Sequence, residues 1–168
     1  TLSLIKILCA AEFLHNVEDI ELSLTAPEEH EHFRTAIRTL IRRLINAKNI
    51  NLSLHKPWYD KRKAFAFGLD GKSDEIIREV RHCHDLKCLS YSRSDVMSTT
   101  EILDIFGSIT YLFNLQSLNL YLNQVHVPIA DFSKEFTRGI NGFLSNLPRL
   151  TDVVIWCVGI TPSAIFQC

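Results

Sequence analysis

One short pattern recurs along this sequence and limits what the chain can fold into more than any other feature. Its first, fourth and sixth positions are apolar, and its ninth position is polar in four of the five copies. The copies begin at Val17, Ala47, Leu86, Leu115 and Leu150, so the intervals between them are 30, 39, 29 and 35 residues. Apolar and polar residues alternate in the first four copies, which indicates a β-strand, and the fifth copy has the same apolar positions within an apolar run at residues 153–156. We therefore expect five strands that belong to one repeated unit.

Segments with helical periodicity separate these strands, because apolar residues recur there three and four positions apart. The apolar stripes occupy residues 33–44, 76–80, 102–112 and 132–144. Ser98 and Glu101 form a capping box, in which two side chains satisfy free amide groups at the start of a helix. The order of strand, helix and strand predicts an α/β protein with a parallel sheet.

The composition excludes several classes of protein. A 46% share of hydrophobic residues with 22% charged residues is typical of a folded globular chain. The formal net charge of -1 argues against nucleic-acid binding, and no window approaches the roughly 20 apolar residues of a membrane span. Five cysteines without a tight spacing pattern are a poor disulfide framework, and the first residues do not resemble a signal peptide. We expect an intracellular protein, either cytoplasmic or nuclear.

The fourth copy of the pattern reads Leu115-Gln-Ser-Leu118-Asn-Leu120-Tyr-Leu-Asn123-Gln-Val125. This run resembles the leucine-rich repeat family, in the long helix-containing subtype similar to ribonuclease-inhibitor-like horseshoes. The five copies cover residues 17–161, which is nearly the whole chain. Asparagine occupies the ninth position only in the fourth copy, and the intervals are irregular. The chain is therefore similar to a divergent member of that family.

The resemblance implies an α/β leucine-rich-repeat solenoid, with parallel strands on the concave side and helices on the convex side. Residues 1–168 would form one arc of about five coils. Neither end shows the polar cap that a terminal coil needs, so we expect a segment of a longer protein, or an arc with a partner at its ends. A flavodoxin-like doubly wound sheet also alternates strands and helices, and it is the alternative fold.

Outward-facing strand residues of such an arc form three rows across its concave face. The first row is Asp19, Asn49, Cys88, Ser117 and Asp152; the second is Glu21, Asn51, Ser90, Asn119 and Val154; the third is Ser23, Ser53, Ser92, Tyr121 and Trp156. The expected partner-binding residues are Asp19, Glu21, Asn51, Ser90, Asn119, Tyr121, Val154 and Trp156. This face would change from acidic at its N-terminal end to aromatic at its C-terminal end.

Tyrosine and tryptophan are favoured anchors in protein interfaces, because each buries a large area at a low entropy cost. We therefore predict a non-catalytic protein-interaction module: a scaffold, receptor or substrate-recognition subunit within a larger complex. It would use no cofactor and no small-molecule substrate. A solvated polar face with two incidental aromatic residues is the simpler interpretation of the same rows.

The longest interval contains an insertion at residues 55–72. Its candidate binding residues are Trp58, Tyr59, Lys61, Arg62 and Lys63. Basic side chains beside aromatic ones are able to stack on nucleic-acid bases or bind an acidic partner. Insertions in repeat proteins are often binding loops, although a solvated excursion with one aromatic residue folded back is the simpler interpretation.

Within this insertion, the run Ala66-x4-Gly71-Lys72-Ser73 resembles a degenerate phosphate-binding loop. A strand-like segment precedes the run and a helical stripe follows it, as such a loop requires. The alternative function is therefore a small α/β nucleotide-binding protein that uses residues 66–73. Two carboxylates follow Ser73 directly and would repel a polyphosphate, so an ordinary helix cap at Ser73 competes with this hypothesis.

His82, Cys83, His84 and Cys88 form a cluster of side chains that are able to bind metal ions. Consecutive residues of a helix point in different directions, so they seldom converge on one tetrahedral ion. We expect a cluster at the end of a helix, with Cys83 buried and no metal.

Three arginines at Arg34, Arg38 and Arg42 are spaced four residues apart, as on one face of a helix. We expect this stripe to be a solvated outer face, with its charge balanced by the glutamates just before it.

Overall fold

The computed structural model describes residues 12–25, 31–55, 74–93, 99–122 and 138–157. The five strands are β1 (Asp19–Thr25), β2 (Asn49–His55), β3 (Cys88–Arg93), β4 (Ser117–Leu122) and β5 (Asp152–Cys157). Each strand contains the fourth and sixth positions of one copy of the sequence pattern, so all five strand predictions are confirmed. The alternation of side chains in the sequence corresponds directly to the pleat of each strand.

Helices lie between these strands, at the predicted apolar stripes. They are α1 (Glu31–Arg43), α2 (Asp74–Glu79), α3 (Thr99–Ile109) and α4 (residues 138–145). A 3₁₀ turn at Val80–His82 continues α2, and a 3₁₀ helix at Glu12–Asn16 precedes β1. Within the ranges described, no helix combines the length and the apolar character that crossing a bilayer requires.

The strands form one parallel sheet in the order of the sequence, from β1 to β5. Backbone hydrogen bonds just before each strand repeat from one neighbour to the next. The carbonyl of Glu18 accepts from the amides of Lys48 and Asn49 at 2.7 and 3.0 Å. The carbonyls at the equivalent positions of the next three copies each accept two amides in the same way. These paired bonds hold the strands in register.

A doubly wound sheet reverses its strand order at a switch point and is covered by helices on both faces. The described strands show no such reversal. Outward side chains such as Glu21, Asn49 and Trp156 are exposed to solvent, whereas inward ones such as Leu52 and Leu118 are buried. This arrangement differs from the doubly wound alternative in both respects.

The core lies between the inward face of the sheet and the helices. Inward strand residues, among them Leu52, Leu89 and Leu120, are at most 1% exposed. Residues of the helical stripes, such as Ile37 and Ile105, are fully buried against them. Helix α1 contacts α2, and α2 contacts α3, so these three helices pack on their sequence neighbours, and their buried residues share one core with the sheet. Burial of each such side chain contributes about 1.5–3 kcal/mol.

A second repeated feature lies three residues before each copy of the pattern. The residues there are Leu14, Leu44, Cys83, Leu112 and Leu147, and all five are buried. The carbonyl of each accepts the amide of the first pattern residue at 2.9–3.2 Å, which closes a tight turn before the strand. Cys83 therefore takes a place that leucine fills in the other copies, and its predicted burial is confirmed.

One buried cation interrupts the apolar inward face. Arg93 is 2% exposed, and its Nη2 lies 3.5 Å from Oε1 of Glu101 on α3. Helix α3 begins at Thr99, as the capping box predicts, but Ser98 lies outside the described residues. The carboxylate of Glu101 therefore faces an arginine of the neighbouring strand, a contact that the capping pattern did not indicate.

Candidate functional site

The outward side chains of the five strands form a solvent-facing surface, which we call the open face. It consists of the three predicted rows. Strand register pairs Asp19 with Asn49, and the same row continues through Cys88, Ser117 and Asp152. The second and third rows follow the same pairing, so the composition of all three rows is confirmed. The eight predicted partner-binding residues all lie on this face.

Strand geometry sets the dimensions of the open face. Neighbouring strands lie about 4.8 Å apart, so β1 and β5 are separated by about 19 Å. Alternate residues of one strand are about 6.6 Å apart, so the three rows span about 13 Å. The area between the outermost Cα atoms is therefore about 250 Å².

The β1 end of the open face is acidic. Asp19 and Glu21 are both exposed. The Asn49 side-chain amide donates to the Asp19 carboxylate, and Nδ2 of Asn51 donates to Oε1 of Glu21 at 3.3 Å. These neutral donors orient the two carboxylates without cancelling their charge.

A shallow depression of about 360 Å³ lies at this end of the open face. Its polar lining comes from Asp19, Glu21, Asn49, Asn51, Ser90 and Asn119, with Cys88 and the strand residues between them completing it. The depression is open to solvent and does not enclose a ligand. It is suited to one side chain of a larger partner better than to a sequestered small molecule.

The β5 end of the open face is apolar in its second and third rows. Tyr121, Val154 and Trp156 are 43%, 44% and 61% exposed, respectively. Tyr121 and Trp156 are direct register partners on adjacent parallel strands. Exposed apolar residues that adjoin one another in this way are typical of interaction sites, whereas single exposed residues are ordinary.

Three of the fifteen open-face side chains are acidic and none is basic. Besides Asp19 and Glu21, Asp152 lies in the first row on β5, so the change from acidic to aromatic runs diagonally across the face. Lys48 lies just before β2 and is paired with Glu18, whose Oε1 is 2.7 Å from its Nζ. This hydrogen bond raises the pKa of Lys48, against the lowering effect of burial.

The predicted insertion site and phosphate-binding loop lie outside the described residues. They comprise Trp58, Tyr59, Lys61, Arg62 and Lys63, together with residues 66–73. Both therefore stay predictions from the sequence.

The cluster of metal-capable side chains is divided by the fold. Burial raises the pKa of the Cys83 thiol to about 12, and Sγ lies 4.0 Å from the carbonyl of Ile41. Cys88 lies on the open face, while Nε2 of His82 is 3.4 Å from a carboxylate oxygen of Glu79. Within the described ranges, no group of three or more His, Cys, Asp and Glu side chains is placed to hold a metal ion.

The arginine stripe of α1 differs from its prediction. Arg38 and Arg42 form ion pairs with Glu79 of α2. Glu79 is only 3% exposed. The arginines therefore bind a buried carboxylate of the next helix, and are not simply a solvated face. Local spacing gave no signal for this contact, because the partners lie 41 and 37 residues apart.

No protein-family model matches the sequence, and neither does any curated protein. The open face, with its in-register rows and its asymmetric distribution of charge, is therefore the feature on which a functional assignment depends.

Proposed function

We propose that this chain is a non-catalytic protein-interaction module, an arc of leucine-rich-repeat coils that binds a protein partner on its open face. In such an arc the open face is the concave surface. The observation that carries the proposal is the pair of exposed aromatic residues, Tyr121 and Trp156, side by side on a sheet face that none of the described helices covers.

The repeated hydrogen bonds support the solenoid part of the proposal. The turn before the strand recurs in all five copies, and the paired amide bonds join each of the four neighbouring pairs of copies. Helix contacts likewise join sequence neighbours, from α1 to α2 and from α2 to α3. A structure in which each unit contacts only the next one is the arrangement of a repeat solenoid.

Side-chain chemistry supports the binding part of the proposal. Tyr121 and Trp156 present large, rigid surfaces, and Val154 in the adjoining row extends the apolar area. Association would remove this area from water without ordering flexible side chains, which is why aromatic residues dominate many interfaces. Eight of the other twelve open-face residues are asparagine or serine, which are able to donate and accept hydrogen bonds with a partner backbone.

A double substitution tests the proposal. The variant Tyr121→Ala/Trp156→Ala removes the aromatic pair, and Tyr111→Ala/Phe113→Ala is the matched control. Tyr111 and Phe113 are each 61% exposed but lie in the turn before β4, away from the open face. Proteins captured from a cell extract by the wild type are identified by quantitative mass spectrometry, and circular dichroism checks the fold of each variant.

We expect a defined set of proteins that the wild type and the control both capture and that the open-face variant loses. If the open-face variant and the wild type capture the same proteins, with unchanged circular dichroism, the open face is not the binding surface. If the control loses the same proteins as the open-face variant, the loss reflects general surface apolarity and also contradicts the proposal.

A further inference from the structure

The charge and dimensions of the open face define which kind of segment fits it. Resting on the proposed function, we infer that the partner presents an extended basic–apolar peptide segment. Its basic residues lie at the β1–β2 end of the open face, and its apolar residue lies between Tyr121 and Trp156 at the β4–β5 end.

Charge complementarity favours a cationic segment. Asp19, Glu21 and Asp152 give the open face a formal charge of -3, since its other twelve side chains carry no charge. A surface of one sign attracts the opposite charge and raises the rate of association with it. The same charge repels phosphate groups, so it disfavours a nucleic-acid backbone as the occupant of this face.

The carboxylates at the β1 end are placed to accept from a cation. Asn49 and Asn51 orient Asp19 and Glu21 through side-chain hydrogen bonds, yet both carboxylates remain exposed. A lysine or arginine of the partner would form charge-assisted hydrogen bonds with them, which are stronger than neutral ones. The depression of about 360 Å³ beside them gives the stem of such a side chain a place to lie.

The opposite end of the face selects an apolar side chain. Tyr121 and Trp156 lie about 4.8 Å apart in the strand-pairing direction, and both are substantially exposed. A leucine or phenylalanine placed over this pair would cover apolar area on both rings.

The distance between the two ends fixes the spacing within the segment. An extended chain advances about 3.3 Å per residue, so the roughly 19 Å between β1 and β5 corresponds to about six residues. Alternate side chains of an extended segment point to the same side, which keeps residues six positions apart on one side. An area of about 250 Å² is well below the roughly 800 Å² per partner of a standard interface, and it suits a short segment.

The test uses the full chain with Trp156 as its own fluorescent reporter. The sequence contains two tryptophans, so Trp58→Phe leaves Trp156 as the single tryptophan. The probe is the synthetic peptide Lys-Ser-Lys-Ser-Ser-Ser-Leu-Ser-Phe. Its comparison peptides replace both lysines by glutamate, or replace the leucine and phenylalanine by serine.

We expect the lysine peptide to shift the Trp156 emission, and to bind about tenfold more tightly than the glutamate peptide. The substitution Asp19→Asn/Glu21→Gln should lower the affinity for the lysine peptide about three- to tenfold. The matched control Asp85→Asn removes an exposed carboxylate outside the open face and should leave the affinity unchanged. Replacing the leucine and phenylalanine by serine, or introducing Tyr121→Ala, should also weaken binding.

Several results would overturn the inference, and they are distinguishable from a failure of the proposed function. If the lysine and glutamate peptides bind with equal affinity, and only Tyr121→Ala lowers that affinity, the open face binds proteins without a preference for basic residues. If the lysine peptide does not bind at about millimolar concentration, the inference of a basic–apolar segment is wrong. The capture experiment tests the proposed function separately. A single-stranded oligonucleotide that binds instead, or a homodimer in sedimentation that Tyr121→Ala/Trp156→Ala dissociates, would identify a different occupant.

Discussion

Arg42 of α1 forms a bidentate ion pair with Glu79 of α2, with Nε 2.5 Å from Oε2 and Nη2 2.7 Å from Oε1. Arg38, one turn earlier, adds a bond from its Nε to Oε1 at 2.9 Å. Burial by itself raises the pKa of Glu79, but the hydrogen bonds and charges of Arg42 and Arg38 outweigh it and hold the pKa below its ordinary value of 4.5. These ion pairs join α1 to α2, the helices that follow the adjacent strands β1 and β2.

The repeat suggests an apolar replacement for this carboxylate. Glu79 lies seven residues before its copy of the pattern, where the copies that begin at Ala47 and Leu150 place the buried residues Leu40 and Phe143, and the copy that begins at Leu115 places Ser108. We expect the free energy of unfolding of Glu79→Leu, measured in urea, to stay within about 1 kcal/mol of the wild-type value. The reason is that a well-packed apolar side chain replaces a buried charge, while the arginines still reach water. Glu79→Gln should lower the free energy of unfolding by about 1–3 kcal/mol, since glutamine keeps a buried polar group that forms weaker hydrogen bonds with the arginines. A leucine variant less stable than the glutamine variant would contradict this.

The same carboxylate predicts a dependence of stability on pH. Because the folded-state pKa of Glu79 lies below 4.5, its contribution is fully present above that value and is lost as the pH falls through the lowered pKa. The difference in unfolding free energy between the wild type and Glu79→Gln should therefore shrink between about pH 5 and pH 3. Urea titrations at several pH values measure this difference. A constant difference over that range would show that Glu79 does not titrate in this way.

The strand positions and the three rows could be predicted because both follow from local alternation. Side chains on a strand alternate between faces, and parallel strands in sequential order align equivalent residues, so one template fixed Glu21, Asn51 and Val154 on a common row. The exposure of Tyr121 and Trp156 follows from the same alternation.

Contacts between helices could not be predicted in this way. The pairing of Arg42 with Glu79 depends on how α1 and α2 lie behind the sheet, and the irregular intervals obscure which helical residues are equivalent. The buried ion pair of Arg93 with Glu101 joins β3 to α3, and it likewise depends on how the helix packs behind the sheet. In contrast, the turn residues before the strands carried a visible signal, since leucine occupies that position in four of the five copies and only Cys83 departs from it.

The two described free cysteines should differ in reactivity. Burial raises the pKa of Cys83 to about 12, so only about one thiol in ten thousand is a thiolate near pH 8. Cys88 is partly accessible on the open face. We expect iodoacetamide to label Cys88 in the native protein and Cys83 only after unfolding in urea, as located by peptide mass spectrometry. Equal labelling of both in the native protein would show that the turn before β3 opens readily.

Two neighbouring residues of β4 test the division between the core and the open face. Leu118 is fully buried between the sheet and the helices, whereas Asn119 points outward and is half-buried. We expect Leu118→Ala to lower the free energy of unfolding by about 2–5 kcal/mol, because it leaves a cavity in a packed layer. Asn119→Ala should change it by less than about 0.5 kcal/mol, as for an ordinary surface position. Urea unfolding followed by circular dichroism measures both, and comparable losses for the two variants would mean that the second row is not a free surface.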